Sequence, residues 1–153
     1  MNTSRRSFLK QSSLVAGGAL AAPYISLGQG SANARLNVGF VGVANRAGAN
    51  LAGVAAVKES VNVAALCDID DKFLAQAAAT HTKAKTYHDF RRMLEQKDLD
   101  AIVVGTPDHT HAVAAVAALR TGRHVYCEKP LARTISEARA ITDAARETGK
   151  VTQ

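Results

Sequence analysis

Tryptophan is absent, and the other aromatics are few: four phenylalanines and three tyrosines in 153 residues. This scarcity removes the stacking platforms on which single-stranded nucleic acid is held. Prolines number only three, and the chain shows no internal repeat and no Pro-, Gly- or Ser-rich linker, so nothing divides it into a string of domains. Charge of one sign is in excess, +6 overall, but three of the cations, Arg5, Arg6 and Lys10, lie in the first ten residues. The rest are spread along the chain without forming a basic stripe, which excludes nucleic acid as the expected partner. The apolar stretch Leu14–Ala22 is too short to cross a bilayer, which takes about 20 residues.

The stretch from Leu36 to Gly48 organises what is present. An apolar run, Val38–Val43, has the length of a buried parallel strand. Gly42 opens a tight turn, and Leu51, Val54, Ala55 and Lys58 follow at helical spacing. In that strand–turn–helix context, Gly42-Val43-Ala44-Asn45-Arg46-Ala47 maps onto the dinucleotide fingerprint G-x-G-x-x-G/A. Ala44 stands at the second glycine, adding a methyl where the backbone approaches the phosphates. The helix start at Asn45–Arg46 offers unpaired N–H groups and a partial positive charge to a pyrophosphate.

Further along, strands are expected over Val61–Cys67, Ala84–Tyr87, Ala101–Val104 and His124–Cys127, with a sixth beginning at Lys150–Gln153. Helices are expected between them. Asp70 caps the one carrying Phe73 and Leu74, and a short one covers Asp89–Lys97. Another starts at Asp108-His109-Thr110-His111 and stops at Gly122. Thr134-Ile135-Ser136-Glu137 is a capping box for the last, which ends near Gly149. Strict alternation of strand and helix predicts an α/β fold, a Rossmann-type doubly wound parallel sheet of order 3-2-1-4-5 occupying 35–153. In that order three strand spacings, roughly 14 Å, separate Cys67 from Cys127, beyond the reach of about 7 Å that a disulfide allows. Both read as buried thiols.

Asp68 ends the second strand about 20 residues after the glycine turn, where a carboxylate accepts from both adenosine ribose hydroxyls and repels a 2′-phosphate. This favours NAD over NADP. Thr106-Pro107 and Glu128-Lys129-Pro130 end the fourth and fifth strands, so all of these should meet at the carboxyl edge of the sheet. His109 and His111 form a His-x-His pair, but no carboxylate or third histidine stands at ligand spacing, and no metal site is expected.

The segment His124-Val125-Tyr126-Cys127-Glu128-Lys129-Pro130-Leu131-Ala132 resembles the signature of the Gfo/Idh/MocA oxidoreductases. Leu66-Cys67-Asp68-Ile69-Asp70 and Thr106-Pro107 through His111 match in order and spacing. The resemblance covers 35–153 and implies the NAD(P)-binding half of an enzyme that oxidises or reduces a hydroxyl of a sugar, cyclitol or related compound. It implies that Lys129 lies near the nicotinamide and the substrate hydroxyl, as the catalytic residue. Glu128 positions Lys129 or the nicotinamide ribose, Pro130 is a candidate cis proline, and His111 lies near the cofactor. The family's substrate domain, an α+β unit, is expected beyond Gln153, so sugar chemistry belongs to a longer protein. Two other readings stand beside this one: a redox-neutral glycosidase or lyase that retains its NAD, and a nucleotide-binding module without catalysis of its own.

Residues 1–34 read as a leader. Ser4-Arg5-Arg6-Ser7-Phe8-Leu9-Lys10 resembles the twin-arginine export consensus, with Ala19-Leu20-Ala21 and Ala32-Asn33-Ala34 as A-x-A-like cleavage sites, the earlier preferred. It implies the twin-arginine translocase as a partner and the periplasm as destination, reached by a protein already folded around its cofactor.

Overall fold

A computed structural model describes residues 35–153. The leader, its export motif and its cleavage sites lie outside the described residues. The order is β1 (Leu36–Val41), α1 (Asn45–Ala55), β2 (Val61–Cys67), α2 (Asp71–Thr80), β3 (Lys85–Tyr87), α3 (Phe90–Met93), β4 (Ala101–Val104), α4 (Asp108–Arg120), β5 (His124–Cys127) and α5 (Ile135–Thr148). Every strand pairing is parallel, in the order β3-β2-β1-β4-β5. This is the doubly wound sheet expected from the alternation of elements.

Side chains alternate between two cores. Val38, Phe40, Leu66 and Val103 pack with Leu51 and Leu74, from α1 and α2, on one face. Val41, Cys67, Ile102, Val104 and Val125 pack with Met93, Ala115, Leu119 and Ile141 on the other. Both faces of the central strands are therefore apolar, as a parallel sheet between helix layers requires.

Four boundaries differ from expectation, among them β3, which begins at Lys85 rather than Ala84. β1 runs from Leu36 to Val41, because Leu36 and Asn37 already pair with Val61 and Asn62. Val43, expected in the strand, is buried in the core but belongs to the turn. α3 is a single turn that Asp89 caps through the Arg91 amide, shorter than the Asp89–Lys97 span. The Lys150–Gln153 segment makes one parallel bridge, Thr152 to Val125; amide bonds from Val125 to Val151 and from Cys127 to Gln153 flank it. Among the described residues it is an isolated parallel bridge on the β5 edge rather than a strand. The capping box of α5 forms on both sides.

Both cysteines are free; Cys67 is buried and Cys127 only half-buried, less covered than its apolar run implied. Burial, assisted by the neighbouring Asp68 carboxylate, pushes the Cys67 thiol up to about 12. Burial and Glu128 push Cys127 up to about 11. The thiolate is the reactive form, so a disulfide reagent at pH 8 should modify the folded chain far more slowly than the denatured one, with Cys127 reacting before Cys67. Equal rates in the two states would refute this shielding. The sign for stability follows: the unfolded thiols release protons first, so the folded state loses stability as pH rises from about 9 toward 12.

Candidate functional site

The carboxyl ends of the strands are flush. Val41 is in register with both Cys67 and Val104, and Val104 with Cys127. The ladder runs one residue further in each case. The Gly42 amide donates to the Cys67 carbonyl at 2.8 Å, Gly105 to Val41 at 2.9 Å and Glu128 to Val104 at 2.9 Å. The residues after these strands therefore share one edge, and the crevice between the turns after β1 and β4 lies where the strand order reverses.

A cavity of about 530 Å³ opens there. Gly42, Ala44, Asn45, Arg46, Asp68, Thr106 and Pro107 all line it, as their strand-end positions predicted. Gly42 has φ +89°, and a Cβ there would meet the Gly105 and Thr106 backbone at 3.0–3.1 Å. Both the left-handed turn and the close approach of the two loops require glycine. At Ala44 the backbone is extended, φ −107° and ψ 162°, which any L-residue adopts, so the turn itself does not need the second glycine. Asn45 instead takes the left-handed conformation, φ +49°, which asparagine tolerates.

The start of α1 fits an anion. No side chain caps it and no acid stands in its first turn. The Gly48 amide is bonded to the Ala44 carbonyl, which leaves the amides ahead of it without a helical acceptor. Arg46, largely exposed, adds a full positive charge on the cavity wall. Asp68 and Asp70 also line the cavity. The Asp68 carboxylate binds the glycine turn directly: Oδ2 accepts from the Val43 amide at 2.9 Å and Oδ1 from the Asp70 amide at 3.0 Å. Each oxygen keeps a further lone pair for a hydroxyl donor. Asp70 caps α2 through the Lys72 and Phe73 amides, as expected.

Four predicted residues lie beside the cavity and do not line it. Glu128 is buried; its carboxylate accepts from the Asn50 amide at 2.8 Å and pairs with Arg46 Nε at 3.3 Å. The Asn50 hydrogen bond, opposed by burial and helped by Arg46, holds it below the ordinary carboxylate range. Glu128 thus ties the end of β5 to α1. Lys129 and Pro130 are exposed on the next turn, joined by a cis peptide bond. His111 is buried, with both ring nitrogens on backbone carbonyls.

The cavity also has walls that sequence reasoning passed over: Ile69, Phe73, His88, Phe90, Thr110 and Val113. Ile69 is 90% exposed and Val113 58%. An apolar residue directly after the acid that ends β2 was the available signal for Ile69. His109 lines the cavity as well. Among the described residues no three His, Cys, Asp or Glu side chains gather as metal ligands.

Fold and crevice together define a dinucleotide-binding α/β domain. The profile of the Gfo/Idh/MocA family, described as an oxidoreductase family with an NAD-binding Rossmann fold, matches residues 36–153. The chain belongs to this family and is an NAD-binding oxidoreductase domain. A glycosyl hydrolase family 109 protein of Solibacter usitatus is 35% identical, covering 95% of this chain and 37% of that protein. An inositol 2-dehydrogenase of Salmonella paratyphi B is 34% identical, covering 75% of this chain and 34% of the other. The WlbA dehydrogenase from Bordetella pertussis, solved in complex with NADH and UDP-GlcNAcA, superposes with a TM-score of 0.72 at 27% identity, over 76% of this chain and 34% of that one. The chain thus spans about a third of the length of these relatives.

Proposed function

We propose that this domain is the cofactor half of an NAD-dependent dehydrogenase acting on a hydroxyl of a sugar, a cyclitol or a related compound. The observation that carries it is the crevice at the strand-order reversal, lined by a cation, an uncapped helix start and the Asp68 carboxylate. NAD, when bound, supplies the hydride acceptor. The α1 amides and Arg46 hold its pyrophosphate, and Asp68 accepts from the adenosine ribose. Ile69 and Val113, apolar yet exposed on the cavity wall, would offer the adenine an apolar surface. Lys129, one residue past the buried Glu128, holds the developing alkoxide of the substrate or takes its proton. The inositol dehydrogenase relative supports the substrate class.

Calorimetry on this chain tests the cofactor assignment. NAD should bind more tightly than NADP. Asp68→Asn, which keeps one acceptor oxygen for the turn, should weaken NAD by roughly 10–100-fold, the loss expected for a charge-assisted hydrogen bond, and narrow the preference. Equal binding of NAD and NADP by the unaltered chain would remove Asp68 from the ribose.

A second reading has its own support. The glycosyl hydrolase family 109 relative aligns over 95% of this chain, leader residues included, whereas the dehydrogenase aligns over 75%. A redox-neutral enzyme would oxidise its substrate transiently, cleave a bond and return the hydride, so NAD would never leave. NAD that co-purifies with the longer protein and survives dialysis favours this reading; NAD consumed in proportion to product refutes it.

We also propose export to the periplasm by the twin-arginine route, on the strength of Ser4–Lys10. Lysine preserves charge but not the planar donor fork of arginine. Arg5→Lys with Arg6→Lys should therefore abolish periplasmic delivery of a fused reporter, and undiminished delivery would rule the route out.

A further inference from the structure

We propose that His111 is a positioning residue that fixes the Lys129 loop against the cofactor cavity. The proposal rests on the cofactor reading for its purpose but not for its geometry. The imidazole sits in the first turn of α4 and is 1% exposed. Nε2 lies 2.6 Å from the Thr106 carbonyl oxygen and Nδ1 2.8 Å from the Pro130 carbonyl oxygen. One ring thus bridges the turn after β4 and the turn after β5. The first lines the cavity through Thr106 and Pro107; the second carries Lys129.

The bridge matters because the second turn has little else to hold it. Lys129, Pro130 and Leu131 are all exposed, so side-chain burial does not fix their backbone. Apart from the ring, this segment is held by the Lys129 amide on the Glu128 carboxylate and by a weak contact from Cys127 Sγ to the Leu131 carbonyl at 3.7 Å. The first turn is firmer: the Thr110 hydroxyl donates to the Pro107 carbonyl and lies 2.8 Å from Thr106 Oγ1. His111 therefore transfers the order of the cavity wall to the loop that presents Lys129.

The residue type follows from the two carbonyls. The imidazole ring presents nitrogens at two separated points of a rigid plane, either of which can carry the donated N–H, whereas asparagine and glutamine hold their donors on one nitrogen.

Three measurements on this chain test the inference. In the unaltered 15N-labelled protein, the ring N–H signal of His111 should resist exchange with solvent; rapid exchange would overturn the buried bridge. In His111→Leu, the backbone 15N order parameters of Lys129, Leu131 and Ala132 should fall from rigid values of about 0.85 to below about 0.6, while Val125 stays rigid. Unchanged order in the loop would refute the positioning role. If that variant does not fold, His111→Gln, whose donors sit on a single nitrogen, should show an intermediate fall. NAD titration is the third. In the unaltered chain NAD should shift the amide resonances of both Gly42 and Lys129. In the variant NAD affinity should stay within about threefold and the Gly42 shift persist, while the Lys129 shift is lost, as coupling through one bridging group requires. Failure of the unaltered chain to bind NAD would strike the cofactor reading and leave the bridge to be judged by the first two measurements.

Discussion

Gly105→Val is expected to abolish NAD binding while leaving the chain folded. A Cβ at 105 would lie 2.7 Å from the Ala47 Cβ and 3.0 Å from its Cα, where carbon atoms in contact normally sit about 3.5–4.0 Å apart. Ala47 is the third position of the glycine fingerprint and is itself buried in the first turn of α1. The end of β4 and the start of α1 must then separate by about 1 Å. Overpacking of this kind costs about 1–3 kcal/mol of stability, less than the total for most domains. Its effect on the site is larger, because the displaced element is the helix start proposed to receive the pyrophosphate, and the Gly42 turn abuts the same Gly105 backbone. Gly53→Ala is the contrasting change in the same helix. Nothing lies within 4 Å of its added methyl, so it should stabilise the chain by about 0.5–1 kcal/mol through helix propensity and leave NAD affinity unchanged. Calorimetry and thermal melts of both variants give the comparison; NAD affinity within threefold of normal in Gly105→Val would show that the contact between α1 and β4 does not set the site.

The second large effect belongs to Lys129. In an enzyme that joins this domain to its substrate domain, Lys129→Ala should lower turnover by about 10²–10⁴-fold, the contribution typical of a positioned proton donor or acceptor. NAD affinity should change little, because Lys129 is exposed on the turn after β5 and is not part of the cavity wall. Arg46→Ala should do the reverse, weakening NAD and sparing turnover at saturating cofactor, since Arg46 lines the cavity. Turnover in Lys129→Ala close to that of the unaltered enzyme would reduce Lys129 to an ordinary lysine after a strand.

The arrangement of strands was legible because alternation and right-handed crossovers leave few topologies for five parallel strands. Once the order was known, the residues after β1, β2, β4 and β5 had to share an edge. Gly42 and Asp68 were legible for the same reason: each is a residue type demanded by its place at a strand end. Residues whose role depends on partners far along the chain were not. Glu128 reaches Asn50, 78 residues away. His111 binds two carbonyl oxygens, and carbonyls leave no trace in a sequence. Nor was the left-handed Asn45 readable, because the fingerprint directs attention to Ala44 next to it. Val43 misled the first strand's end: it is apolar for the core, not for the ladder.

The central position of β1 carries a consequence for how the domain assembles. Its pairing with β2 closes short segments, such as the separation of 25 residues from Leu36 to Val61. Its bonds to the β4 side close long ones, such as the 63 residues between Asn37 and Asp100. Loop-closure entropy makes the shorter closure the cheaper of the two. The β1–α1–β2 unit therefore condenses first, and it contains Gly42, Arg46 and Asp68 but not Thr106 or Lys129. On the proposed cofactor reading, a half-built chain carries only part of the nucleotide site, without its far wall. Nucleotide that binds the completed crevice more tightly than this partial one would favour the finished sheet, acting as a latch on the β1–β4 seam rather than as a passenger loaded afterwards.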